Sequence, residues 1–267
     1  MRLQFLRAFL PVTALLSDAS EASQTSQASQ ASQELTELAE KLQASVVVLE
    51  VDAVFGDPTS TGTGFFISKD GQIATNHHVI EGARSIVARA HDGRTVRVEA
   101  IVATDEENDL AVIRVEAGEY VPLTLGHSSS IETGERVVVL GNPLGLDFTL
   151  SEGIVSAVRD AGELDDRGLE VPHLQISAPI SFGSSGSPVV DLSGEVIGVV
   201  ASGFDDSMNL NFAVPVDLLV ELQKVANRNP QGTVLPSPWT AGLRNLGLSV
   251  VFFLVVLWFF RRSSARA

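Results

Sequence analysis

The residues Ile180 to Asp191 read ISFGSSGSPVVD, a glycine- and serine-rich turn that runs straight into an apolar strand. Glycine permits positive φ and close backbone approach, so such a turn can present one serine hydroxyl at a surface. A hydroxyl is a weak nucleophile until a base takes its proton, and the base works best when an acid fixes its tautomer and stabilises its charged form. The chain holds five histidines. His77 and His78 sit in TNHHVI just after a strand, whereas His91, His127 and His173 lie in polar or loop-like contexts. Asp109 in EENDLAVIRV is the last acid before a strongly apolar strand, where a carboxylate can be partly buried and held by donors. Asp105, Glu106 and Glu107 read as a solvated loop. These groups could perform acyl transfer through a covalent serine intermediate. Each fragment alone also has a bland explanation, because serines are ordinary turn residues. A metal site at His77 and His78 is disfavoured, since adjacent strand residues point to opposite faces.

The elements that must position these groups are mostly short β-branched runs at 45–51, 63–68, 85–90, 95–101, 110–115, 136–140, 153–159, 195–202 and 210–216, separated by Gly, Asp, Asn or Pro. A helix is expected from Glu34 through Gln43, with Leu35, Leu38 and Leu42 at helical spacing, and another over VDLLVELQKVAN. Many strands with almost no intervening helix predict an antiparallel sandwich or barrel, not a doubly wound sheet. Neither pattern nor spacing separates one sheet pair from two barrels.

Composition narrows the function classes. The 267 residues, 45% hydrophobic, suffice for a substantial core, and a formal charge of −15 disfavours nucleic acid as a partner. Cysteine is absent, which removes disulfides and thiolate metal sites. Residues 1–16 resemble a signal peptide, with Arg2 and Arg7 near an apolar run of roughly nine residues. A low-complexity polar tether follows over 17–33. After the 34–227 domain and a Pro-containing linker at 228–240 comes a predicted transmembrane segment, 241–260, charge-free and apolar over Leu246–Phe260, then a basic tail, 261–267. Its Leu246–Phe260 portion would span about 22 Å as a helix, so Ala241–Asn245 and snorkelling side chains must extend it to cross a bilayer. Arg261 and Arg262 beyond it predict a cytoplasmic C-terminus with the main domain on the extracytoplasmic or periplasmic side.

TNHHVI, NDLAVIRV and GSSGSP, in that order, resemble the His, Asp and Ser motifs of the chymotrypsin-fold serine proteases, most closely the HtrA/DegP-like branch. GTGFFIS, GNPLGLDFTLSEGIVSA, GEVIGVV and NFAVPVD extend the likeness over roughly 34–227. The resemblance implies an all-β fold, a chymotrypsin-like double six-stranded antiparallel β-barrel with flanking short helices. It implies His78 as general base, Asp109 as its orienting acid, Ser185 as nucleophile, and the Gly183 and Ser185 amides as oxyanion hole. It further places Ala201, Ser202 and Gly203 along the substrate pocket and predicts small or medium apolar residues before the cut. The family more often has Asn at position 184 and Gly at 187, where this chain has serine. The G-S-P ending also resembles the glutamyl-endopeptidase branch. An α/β-hydrolase is disfavoured, because that fold orders its triad serine, acid, histidine.

The reading is therefore an exported, membrane-tethered serine endopeptidase that cleaves unfolded or exposed polypeptide segments in quality control or regulated proteolysis, with no cofactor and no metal. Fewer than about twenty residues lie between the closing helix and the apolar segment, too few for a PDZ domain. Family analogy leaves a homotrimer open. The competing class is a non-catalytic binding or chaperone module on the same fold.

Overall fold

The apolar runs VVVLEV, LAVIRV and VVVL are buried on both faces, which only a strand between two packed layers can satisfy. The computed structural model describes residues 32–53, 60–142, 148–163, 171–201 and 210–235. Residues 1–31 and 236–267 lie outside it, and with them the signal-peptide, apolar-segment and basic-tail readings. Among the described residues no helix is long and apolar enough to cross a membrane. Residues through Glu40 and residues from Lys41 onward form separate compact units. A helix, α1, covers residues 32–43 and so starts two residues before the expected Glu34.

Six strands of the second unit close the first barrel: β1 (Val46–Ala53), β2 (Ser60–Phe66), β3 (Gln72–Thr75), β4 (Ala83–Ala90), β5 (Thr95–Asp105) and β6 (Leu110–Val115). Their order is β5-β4-β1-β2-β3-β6, and pairing of β5 with β6 shuts the ring. Val47, Leu49, Ile73, Ile86, Val98 and Ile113 fill it. Closure removes free edges that would otherwise template aggregation.

Beyond the two-residue β7 (Thr124–Leu125), a second ring consists of β8 (Arg136–Gly141), β9 (Thr149–Arg159), β10 (His173–Ile176), β11 (Pro188–Asp191), β12 (Glu195–Val200) and β13 (Asn211–Pro215). Here the order is β11-β8-β9-β10-β13-β12, closed by β11–β12, around Val137, Val155, Leu174, Ile176 and Val189. β7 adds to β12 in parallel. Two closed six-stranded antiparallel barrels match the expected fold class.

The barrels meet where β1 packs on β8, which explains why Val46, Val48, Val138 and Leu140 are buried although they face away from their barrel cores. Helix α3 (Val216–Arg228) follows β13 and contacts β5 and β6 of one barrel and β12 and β13 of the other through a face carrying Leu219, Leu222 and Ala226. Within the expected 228–240 linker, β14 (Thr233–Val234) pairs with Ile101 and Ala100 of β5, and Leu235 packs on the first core. A two-residue strand carries no readable periodicity; only the exposed edge of β5 selects it.

Ile113 is fully buried and pairs with both Ile73 and Ile101 at the closing seam. Ile113→Ala is expected to lower stability by about 2–5 kcal/mol, read as a shifted urea midpoint with an unchanged slope.

Candidate active site

The β3–β6 register determines which residues meet at the end of the first barrel. Thr75 opposes Ala111, so carrying the antiparallel ladder two residues further sets His77 opposite Asp109. The His77 amide does donate to the Asp109 carbonyl, at 3.2 Å. His77 and His78 then open the one-turn helix α2 (His77–Ile80), not an extended strand end. This turns the His78 ring toward the Asp109 carboxylate.

Asp109 is bound from every side. Its Oδ2 accepts from His78 Nδ1 at 2.7 Å and its Oδ1 from the His78 amide at 2.9 Å. Its carbonyl accepts from Asn76 Nδ2 at 2.9 Å. The backbone at Asp109 has φ 50°, the left-handed region that aspartate tolerates better than most residues. A carboxylate is acceptor-only, so the short bond places the proton on His78 Nδ1 and leaves Nε2 as a free acceptor. That is the tautomer a general base requires.

The turn carrying Ser185 is built from the second barrel and seated on the first. Gly183 and Gly186 have φ of 91° and 84°, and the Ser184 and Ser187 amides donate back to Ser181 and Ser184. The Thr63 amide in β2 donates to the Ser185 carbonyl at 2.9 Å. A Cβ on Gly186 would lie 2.1 Å from the Thr63 carbonyl and 2.5 Å from Thr75 Oγ1. Thr75 directly precedes the Asn76–His78 segment, so the two catalytic candidates share one floor. The Gly183 and Ser185 amides have no acceptor among the described residues.

The structure thus joins His78 to Asp109 and brings Ser185 to the same end of the molecule. It does not bond the Ser185 hydroxyl to His78; that hydroxyl has no hydrogen-bond partner among the described residues. Such bonds are often long without substrate and tighten when it binds. Ala201 is buried at the end of β12, its amide donating to the Phe212 carbonyl, while Ser202 and Gly203 lie outside the described residues.

Two contributors escape a motif reading. Asn76, wholly buried, holds the Asp109 backbone. Asp105 is not merely solvated, because its carboxylate accepts from the Asn108 amide and Nδ2 at 3.0 and 2.7 Å and so shapes the turn that presents Asp109. Phe182 stands 85% exposed beside Gly183. The single asparagine beside each motif, Asn76 before the histidines and Asn108 before the acid, was the available signal for Asn76 and Asp105; nothing in the sequence distinguishes Phe182.

Comparison with known proteins agrees with this geometry. The family model described as "Trypsin-like peptidase domain" matches residues 62–199, and the chain belongs to that family. The relative described as "Probable periplasmic serine endoprotease DegP-like" from Hahella chejuensis is 39% identical over 180 residues, 63% of this chain and 38% of the relative. "Serine protease HTRA2, mitochondrial" from Drosophila pseudoobscura pseudoobscura is 37% identical over 201 residues, 71% of this chain and 46% of that protein. The chain spans less than half the length of these curated relatives. The solved structure "HtrA-type protease AlgW with tripeptide" superposes with a TM-score of 0.65 at 30% identity, covering 71% of this chain and 62% of the other. The serine endoprotease from Yersinia pestis superposes at 0.62 and 27% identity, with 73% and 67% coverage.

Gly186→Ala is expected to destabilise the protein by at least about 2 kcal/mol, through the clash with Thr63 and the unfavourable φ together, seen as a lowered melting temperature. A second expectation concerns pH. Burial of His173 holds its imidazole below the ordinary 6.5, although the Nδ1 bond to the Val171 carbonyl and the Asp109 charge oppose this. The unfolded chain therefore binds the extra proton first, so stability should fall as pH drops below about 6.5 and level off below the folded-state midpoint. His173→Gln should flatten that part of a melting-temperature profile.

Proposed function

We propose that the chain is a serine endopeptidase of HtrA-like type acting by an acyl-enzyme route. The observation that carries this reading is the His78–Asp109 pair, whose 2.7 Å bond through Nδ1 leaves Nε2 as a free acceptor. Ser185 Oγ attacks the peptide carbonyl as His78 Nε2 takes its proton, and Asp109 stabilises the resulting imidazolium. The carbonyl oxygen gains its charge against the Gly183 and Ser185 amides, and donors of this kind each contribute about 3 kcal/mol to barrier reduction. Protonated His78 then gives its proton to the leaving amine. A water, deprotonated by the same imidazole, releases the acyl group.

Substrates in this reading are unfolded or exposed polypeptide segments with small or medium apolar residues before the cut. Apolar Ala201, at a pocket position that the family likeness implies, supports that preference, as does a net charge of −15, which repels acidic segments. The peptide in the AlgW structure and the periplasmic description of the Hahella relative favour polypeptide clients met outside the cytoplasm. Export by residues 1–16, tethering through 241–260 and a role in quality control or regulated proteolysis complete the proposal, with trimerisation left to assembly measurements.

One observation favours the competing reading, a binding or chaperone module: the Ser185 hydroxyl is not bonded to His78. Fluorophosphonate labelling separates the two. Labelling of the wild type that disappears in Ser185→Ala, with casein cleavage reduced at least about a thousandfold, supports the protease. Folded wild-type protein that never labels would leave the binder.

A further inference from the structure

Thr63 lies in β2, in the sequence Gly62-Thr63-Gly64, wholly buried and outside the His, Asp and Ser motifs. All four of its polar positions are engaged. Its Oγ1 donates to the Gly183 carbonyl at 2.7 Å and accepts from the Asn142 amide at 3.2 Å. Its amide donates to the Ser185 carbonyl at 2.9 Å, and its carbonyl accepts from Thr75 Oγ1 at 2.7 Å. One residue of the first barrel therefore grips the carbonyls on both sides of the Ser184–Ser185 peptide.

The grip is rigid. A Cβ on Gly62 would come within 2.6 Å of Val79 Cγ1 and one on Gly64 within 2.7 Å of Ile73 Cγ2, so β2 is pressed into its surroundings on either side of Thr63. Peptide planarity converts a held carbonyl into a held peptide plane. With Gly183 O and Ser185 O both directed at Thr63, the dihedrals of residues 184 and 185 are bounded, and so is the direction of the Ser185 amide. Rotating the Gly183–Ser184 peptide would strand a buried carbonyl without a donor.

We propose that Thr63 is the positioning residue of the oxyanion-binding turn, its hydroxyl holding the Gly183–Ser184 peptide in the orientation that aims the Ser185 amide and hydroxyl at substrate. This rests on the protease reading of the site. The role belongs to the hydroxyl specifically: valine fills the same volume but loses the bond to Gly183 and the acceptor for Asn142, whereas serine retains both.

The test uses the full chain with fluorescent casein and a fluorophosphonate. Thr63→Val is expected to lower kcat by about tenfold to a hundredfold with KM within about twofold, and to slow fluorophosphonate acylation in proportion. Thr63→Ser is expected to stay within about threefold of wild type on both readouts. Amide exchange over residues 181–187 should quicken in Thr63→Val and not in Thr63→Ser. Wild-type kcat in Thr63→Val, equal loss in Thr63→Ser, or unchanged exchange in Thr63→Val overturns the proposal. Should Thr63→Val fail to fold, Thr63→Ala against Thr63→Ser carries the same comparison. Wild-type protein that does not label at all defeats the protease reading, and the exchange comparison still decides whether Thr63 holds the turn.

Discussion

The site depends on the backbone at Asp109. A residue with φ 50° at the mouth of a hairpin is costly unless its surroundings over-determine it. Here they do: Asn76 and His77 bind its carbonyl, and the His78 amide and ring bind its two carboxylate oxygens. The same bonds that hold Asp109 in this conformation orient the imidazole. Position and tautomer of the base are thus one structural fact, derived from a strand register.

Rigidity has a different source at Ser185. The Ser185 turn closes on itself and is then locked by close approach: glycine at 186 leaves only enough room for the Thr63 carbonyl and the Thr75 hydroxyl. Gly141 faces Ser187 in the same way, with a would-be Cβ 2.2 Å from its Oγ. His78 and Asp109 belong to one barrel and Ser185 to the other, so their geometry is only as good as the packing of β1 on β8 and of α3 across both. Placing reactive groups at the meeting line of two closed rings lets each ring supply stiffness while the line supplies access.

Much of this was legible in the chain. Alternating and continuous apolar runs reveal most strands, because burial on one or both faces dictates the residue type directly. The fragments TNHHVI, NDLAVIRV and GSSGSP identify the residues that the fold brings to one end. By contrast β7, β10 and β14 are too short to carry a readable period, and only the assembled sheets decide what they pair with. Asp105 reads as solvated, since its bonds to Asn108 arise only when the hairpin turns. Ser187 stands in a turn motif, yet it is fully buried, with no hydrogen-bond partner for its hydroxyl among the described residues.

By itself the sequence determined the class of fold and the order of the chemical groups, for these depend on side-chain type and on the pattern of apolar runs. The tertiary structure decided which histidine faces the acid, how that acid is held, and which buried threonine ties the serine turn to the opposite barrel. Those outcomes are set by register and by contacts between residues more than a hundred positions apart, such as Thr63 and Gly183, and no local pattern encodes them.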